Sequence, residues 1–218
     1  TLAEVPEHRV HGAVPLDVLS KPGQLDDREW QAIRRHPIEG VRIVSRLPGI
    51  SDLMVDSMRV AFEHHMHVDH SGYPPVREAR PLGAFSRIVA VADIFDAVTS
   101  HRAYRKRPMT AHEALRLLLG REREHFDPAV LGALVQTVGL YPAGTVFVTD
   151  SGRIMLSVSP NSADPRRPFC RELAGDVHEE TAEILALAGD APLPPEERVV
   201  HVIPPEEFYV DVEGLRAA

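Results

Sequence analysis

Apolar residues recur at the spacing of amphipathic helices over most of the first 140 positions of the chain. Several of these helices begin at residues whose side chains can accept a hydrogen bond from the first turn, namely Asp26, Ser51 and the capping-box pair Thr110 and Glu113. Pro37 suits the first position of a helix, so the pattern predicts a break before it and a new helix after it. The predicted helices lie at 16–19, 26–35, 37–47, 51–66, 81–100, 110–119 and 127–139.

Two apolar stripes on these helices are expected to face the core, because their members recur at intervals of three or four residues. One stripe lies on the helix over 37–47 and the other on the helix over 51–66. Their members are Val41, Ile43, Val44 and Leu47 on the first helix and Leu53, Met54, Met58 and Ala61 on the second.

The pattern changes after Pro142, where β-rich runs replace the helical spacing. The segments GTVFVTD and RIMLSVS flank a Ser-Gly turn and predict a β-hairpin, and PRRPFCREL and RVVHVIP can add further strands. We therefore predict a mainly α fold with two parts, a helical domain over 1–141 and a small β-rich extension over 142–218.

The charge balance excludes some classes of partner. Of the 218 residues, 24 are Lys or Arg and 32 are Asp or Glu, so the net charge of -8 argues against duplex nucleic acid and anionic membranes as partners. No apolar run reaches the length of a membrane span. The single cysteine, Cys170, excludes an internal disulfide and favours a reduced, cytoplasmic chain. Because the sequence begins without methionine, we expect it to be a piece of a longer protein.

Histidine is the residue type with candidate chemistry, since four of the 12 histidines fall within positions 64–70. Imidazole is the commonest protein ligand for divalent transition metals, and His64, His65 and His36 with the carboxylate of Asp93 are the natural ligand set. Neighbouring histidines on a helix diverge by about 100°, so both reach one ion only at the end of the helix. His67 and His70 are expected in a loop, outside this set.

The alternative is that these histidines and Asp93 bind no metal ion. Loop histidines are often solvated or hydrogen-bonded, His36 could cap a helix, and Asp93 could pair with Arg87.

The basic segment SHRAYRKRP over 100–108 also has two interpretations. Its arginines suit phosphate binding, or they complement the dipole of the preceding helix.

Taken together, these segments resemble the HD-GYP family. The match is carried by HH…DxSGYP over 64–74, RIVAVADIFDAVTSxRAYRK from Arg87, FDPAV, and VPLDVLSKPGQLDDREWQAIRRHP upstream, and it covers roughly residues 14–139. Members of that family are bacterial, helical proteins that bind two or three metal ions, commonly iron or manganese. They hydrolyse cyclic di-GMP, usually in the cytoplasm.

The resemblance also implies roles for individual residues. His36, His64, His65 and Asp93 match metal ligands, and Arg102 and Arg105 match residues that hold the phosphates of the cyclic dinucleotide. Gly72, Tyr73 and Pro74 match the signature tripeptide, in a loop associated with signalling-protein partners. Metal-assisted phosphodiester hydrolysis is the reaction that this set suits.

The sequence departs from the family pattern in several places, including His11 where a lysine is expected and Asp69-His70 where Asp-Gly is expected. Glu7-His8 stands where the His-Asp pair is expected, and Met66 stands where HHE would place its glutamate. The remaining ligands suit one ion better than a bridged pair, so we expect impaired catalysis in this chain. The alternatives are a non-catalytic module that binds cyclic di-GMP or a signalling protein, and a structural helical module that forms a homodimer.

Overall fold

The computed structural model of the chain describes residues 14–49, 51–102, 107–174, 185–186 and 190–208. The chain divides into two compact units, Thr1–Leu131 and Gly132–Ala218. The helices are α1 Leu16–Leu19, α2 Asp27–Val44, α3 Asp52–Glu63, α4 Ala84–Thr99, α5 Ala111–Leu119 and α6 Pro128–Val138. The helices and the small antiparallel sheet agree with the predicted mainly α fold with a β-rich extension, while the boundary after residue 141 stays a prediction.

The helix starts follow the caps that the sequence predicts. The side chain of Asp26 accepts hydrogen bonds from the backbone N–H groups of Arg28 and Glu29, and the backbone N–H of Asp26 donates to the Glu29 carboxylate. Ser51 accepts from the backbone of Met54 at the start of α3. Each cap satisfies backbone N–H groups that have no partner within the helix, and this fixes where the helix begins.

The predicted break before Pro37 is wrong, because α2 runs without interruption from Asp27 to Val44 with Pro37 buried inside it. Proline removes one backbone N–H from a helix, the one that would bond the carbonyl oxygen four residues earlier. Here that oxygen belongs to Ile33, and it accepts a hydrogen bond from Nδ1 of His36 at 2.7 Å instead. The imidazole therefore replaces the missing backbone donor, and the helix continues.

The expected apolar stripes are only partly buried in the described residues. Val41 and Val44 are half-buried, whereas the side chains of Ile43, Leu47 and Leu53 are 41%, 57% and 76% exposed. Ile43 lies about 100° around the helix from Val44, off the face that the two valines share, and Leu47 follows the end of α2. The buried apolar residues of this unit lie mainly on α4 and α5: Ala90, Val91, Val98, Ala114, Leu115 and Leu118.

The second unit is built on an antiparallel sheet. Its strands are β1 Val146–Thr149, β2 Ile154–Ser159, β3 Phe169–Ala174, β4 Leu185–Ala186, β5 Ala191–Pro192 and β6 Val199–Val202. The order is β4-β3-β2-β1-β6, with β5 also paired to β3. The β1–β2 pair is the predicted hairpin. Val146 and Leu156 face one apolar cluster and Phe147 and Met155 face another, so both faces of the sheet are covered.

Glu113 makes the stability of α5 depend on pH. A salt bridge from Arg107, together with hydrogen bonds from Thr110, holds the pKa of this carboxyl at about 2, well below its usual range. Its contribution to stability is therefore complete above about pH 4.5 and is lost as the pH falls towards 2. We expect Glu113→Gln to lower the free energy of unfolding at pH 7 by about 1 kcal/mol and to flatten its slope in this window. Urea unfolding of both proteins between pH 2.5 and 7 measures this, and parallel curves would contradict it.

In the ranges that the structure describes, the helices are too short or too polar to cross a lipid bilayer.

Candidate metal centre

Three imidazole rings from two helices meet at one point. His36 lies on α2, His64 caps the C-terminal end of α3, and His65 follows it. Each offers one ring nitrogen, and the three nitrogens lie within 4.8 Å of one another. The ring centroids are 5.1 Å apart for His36 and His64, 4.8 Å for His36 and His65, and 4.2 Å for His64 and His65. The end of α3 is what lets the two neighbouring histidines reach the same place.

Backbone carbonyl groups fix the tautomers of two of these rings. A carbonyl oxygen only accepts hydrogen bonds, so Nδ1 of His36 must donate to Ile33. By the same reasoning Nδ1 of His64 donates to the carbonyl groups of Val60 and Ala61, at 3.1 and 3.0 Å. Nε2 of each neutral ring therefore carries a lone pair and no proton.

Those two lone-pair nitrogens face each other, since Nε2 of His36 and Nε2 of His64 are 3.0 Å apart. Two acceptors at this distance repel unless a proton or a cation lies between them. Two imidazole nitrogens that share one ion at about 2.1 Å and at a right angle also lie about 3.0 Å apart. Metal-binding histidines commonly donate their second nitrogen to a carbonyl group, as both rings do here. The residues present thus fit a divalent metal ion.

Burial favours the neutral form, which metal ligands require, in two of the three imidazoles. Burial, together with the neighbouring histidines His64 and His36, lowers the pKa of His65 to about 3. Burial also lowers the pKa of His36 below its usual range. These two imidazoles are therefore ready to bind a cation at neutral pH without first losing a proton.

The Gly72-Tyr73-Pro74 segment contacts both the backbone and the ring of His65. The backbone N–H of Tyr73 donates to the carbonyl oxygen of His65 at 3.1 Å, and the ring of Tyr73 lies 4.6 Å from the ring of His65. Gly72 has a φ of +87°, and a Cβ atom placed on it would lie 2.4 Å from the carbonyl oxygen of His65. Only glycine can adopt this positive φ and also lie this close to the carbonyl oxygen of His65. Pro74 follows and is buried.

Asp93 lies beside this cluster but differs from its expected setting. Its Oδ2 atom is 3.7 Å from Nδ1 of His65, and it does not join the three histidines in the group of mutually close ligand atoms. Its side chain is 46% exposed, so water can solvate its charge and burial alone does not require a metal ion beside it. The alternative pairing with Arg87 is wrong, since Arg87 forms a salt bridge with Asp127 at the start of α6.

Among the described residues, the remaining predicted residues do not belong to the group of three close imidazoles. Arg102 forms an ion pair with Asp96 at 3.8 Å, and Arg105 lies outside the described residues, as does the Glu7-His8 pair. His67 and His70 are in the loop, as expected. The ring of His67 stacks on His125 with centroids 4.1 Å apart.

Sequence reasoning missed two residues that position the cluster. The role of Ile33 follows from Pro37, because a proline inside a helix always frees the carbonyl group four residues earlier. The sequence contains that signal, although the rule for Pro37 at the start of a helix predicts a different structure. The contact between the rings of Tyr73 and His65 depends on tertiary structure and had no local signal.

We expect Pro37→Ala to weaken metal binding by about tenfold without destabilising α2. Alanine restores the backbone N–H that competes with Nδ1 of His36 for the carbonyl oxygen of Ile33, and so it frees the imidazole to rotate. Metal titration monitored by calorimetry measures the affinity, and circular dichroism monitors the helix. An affinity equal to that of the unaltered protein would show that this hydrogen bond does not position His36.

Comparison with known proteins places this geometry in context. The HD domain family model matches residues 5–130. Cyclic di-GMP phosphodiesterase PA4108 of Pseudomonas aeruginosa is 40% identical over 142 residues, which are 65% of this chain and 33% of that protein. The cyclic di-GMP phosphodiesterase response regulator RpfG of Xanthomonas campestris is 41% identical over 57% of this chain and 32% of its own length.

A third relative is named for a different substrate. The 3'3'-cGAMP-specific phosphodiesterase 2 of Vibrio cholerae is 35% identical over 57% of this chain and 23% of its own length. The chain therefore spans about a third or less of each of these three relatives.

Proposed function

The chain belongs to the HD domain family, and on that premise we propose that its helical unit is a metal-dependent phosphodiesterase that hydrolyses cyclic di-GMP in the cytoplasm. The resemblance to HD-GYP proteins is confirmed by the family match and by relatives named cyclic di-GMP phosphodiesterases. The observation that carries the proposal is the 3.0 Å separation of the Nε2 atoms of His36 and His64, because two neutral rings at this distance present facing lone pairs that a cation between them would stabilise.

His36, His64 and His65 would hold the ion, and Asp93 would supply a carboxylate from the side of His65. A bound divalent ion, iron or manganese in this proposal, activates water and offsets negative charge on the phosphodiester. The protein contributes orientation: carbonyl groups fix two rings, and Tyr73 packs against the third. A site fixed in this way does not reorganise when the substrate arrives.

The chain as a whole is acidic and repels the phosphates of the substrate, so positively charged side chains are needed at the binding site. Arg102 and Arg105 are the residues proposed to supply it, since guanidinium groups suit bidentate contact with phosphate. Arg102 is 42% exposed, and its ion pair with Asp96 is long enough to be exchanged for a ligand. The exposed loop that contains Gly72 and Tyr73 is the proposed contact for a signalling protein.

A non-catalytic module that binds cyclic di-GMP is the second candidate, favoured by one observation. Met66 is buried, with 4% of its surface exposed, and it follows His65 at the position where the family pattern has a glutamate. A thioether there cannot replace a carboxylate ligand for a hard ion. This favours a site that lacks the bridged pair of ions needed for hydrolysis and binds cyclic di-GMP without turnover.

Hydrolysis distinguishes the two candidates. The full chain is loaded with Mn²⁺ or Fe²⁺ and incubated with cyclic di-GMP, and the products are separated by chromatography. The proposal predicts a linear dinucleotide or GMP, and it predicts that a chelator stops their formation. Binding of cyclic di-GMP that is unaffected by the chelator, with no product, would instead establish the non-catalytic module.

A further inference from the structure

An open groove lies between α3 and α4, beside the candidate metal centre. Its volume is about 440 Å³, within the range of small-molecule sites. Val60, Phe85 and Val89 form apolar walls, and His64 lines the groove as well as the metal centre. A ligand whose phosphate lies at the metal can therefore extend into this groove without leaving the protein surface.

The groove contains two polar side chains besides His64, and both present hydrogen-bond acceptors. The carboxylate of Asp56 has no hydrogen-bond or ion-pair partner among the residues that the structure describes. The hydroxyl group of Ser57 donates its proton to the carbonyl oxygen of Leu53 at 2.7 Å, which leaves only its lone pairs for a ligand. A polar ligand that binds in this groove must therefore supply hydrogen-bond donors such as N–H groups.

The spacing along α3 suits a nucleotide. Asp56, Val60 and His64 follow one another at intervals of four residues, so they lie on the same side of the helix. The axial distance from Asp56 to His64 is about 12 Å at 1.5 Å per residue. This is close to the span of one nucleotide from its phosphate to the outer edge of its base.

We propose that this groove is a guanine subsite, in which the Asp56 carboxylate accepts hydrogen bonds from the base and Phe85 stacks against it. The proposal deepens the proposed function and rests on it for the position of the phosphate. Guanine presents two adjacent donors, N1–H and the N2 amino group, which match the two oxygens of a carboxylate. Adenine presents an acceptor at N1, which a carboxylate repels.

The aromatic wall supports a flat ligand. The side chain of Phe85 is 60% exposed, an unusual position for a phenyl ring, and stacking on a base would cover it. The cyclic dinucleotides named for the relatives, cyclic di-GMP and 3'3'-cGAMP, share a guanine base. A single guanine subsite beside the metal centre would accept either of them.

The test compares GMP with AMP, which carry one base each and no phosphodiester linkage to cleave. Calorimetry on the metal-loaded full chain gives both dissociation constants for the unaltered protein, Asp56→Asn and Phe85→Ala. We expect the unaltered protein to prefer GMP by about tenfold or more, and Asp56→Asn to weaken GMP binding by about 10- to 100-fold and to remove the preference. Phe85→Ala should weaken both nucleotides by about tenfold.

Matched controls come from the same helices. Asp52→Asn removes a charge from α3 outside the groove, and Ile88→Ala removes an exposed apolar side chain from α4 that does not line it, so both should retain the GMP preference. A preference for GMP that persists in Asp56→Asn, or no preference in the unaltered protein, would overturn the subsite. Hydrolysis of cyclic di-GMP is measured separately. Lack of hydrolysis combined with an Asp56-dependent GMP preference would overturn the phosphodiesterase and support the subsite.

Discussion

His64→Ala is expected to reduce metal affinity by more than about 100-fold and to abolish metal-dependent hydrolysis of cyclic di-GMP. His64 supplies one of the two facing Nε2 atoms, so its removal leaves His36 without its partner at 3.0 Å. Loss of a residue that only orients a ligand already costs about 10- to 100-fold, and loss of the ligand itself costs more. Metal content after dialysis against a limiting concentration of Mn²⁺ measures the effect.

The control for this variant is His201→Ala, which removes an exposed histidine from β6 in the other unit. It should retain the metal and the activity. Thermal unfolding of the metal-free proteins establishes whether His64→Ala is folded, and His64→Gln provides a second variant of closer size. Equal metal content in His64→Ala and the unaltered protein would refute the role of this histidine.

Gly72→Ala is expected to have the second largest effect, although Gly72 offers no ligand. A Cβ atom would lie 2.4 Å from the carbonyl oxygen of His65, and the φ of +87° adds the strain of a left-handed conformation. We expect a loss of about 2 kcal/mol or more in the free energy of unfolding. Metal affinity should fall by about 10- to 100-fold, because the backbone that carries His65 must move.

Gly49→Ala separates the effect of backbone strain from the effect of the steric contact with His65. Gly49 has a φ of +84°, but its added Cβ would meet nothing within 4 Å. This variant should lose a similar conformational energy and retain the metal affinity of the unaltered protein. Urea unfolding and metal titration of both variants measure the two quantities. If Gly49→Ala lost as much metal affinity as Gly72→Ala, general destabilisation would explain both results.

Features that depend on neighbouring residues were predicted well from the sequence. The caps at Asp26, Ser51 and Thr110 and the hairpin over β1 and β2 occur where local rules placed them. A cap depends on a side chain and the backbone three residues later, and a hairpin depends on its turn. Neither requires knowledge of the rest of the fold.

Features that depend on tertiary contacts were predicted less well. The alternative pairing of Asp93 with Arg87 rested on their positions along one helix, yet Arg87 pairs with Asp127, 40 residues away. Pro37 followed the rule for a helix start, but a side chain, His36, replaced the hydrogen bond that proline removes. The meeting of His36 with His64 across 28 residues was implied by the family resemblance and not by periodicity.

Anomalous X-ray scattering from crystals grown with Mn²⁺ tests the central claim most directly. The account predicts one strong peak at the metal absorption edge, within coordination distance of a ring nitrogen of His36, His64 and His65. Well-ordered histidines with no peak between them, and a shared proton joining His36 to His64, would contradict it.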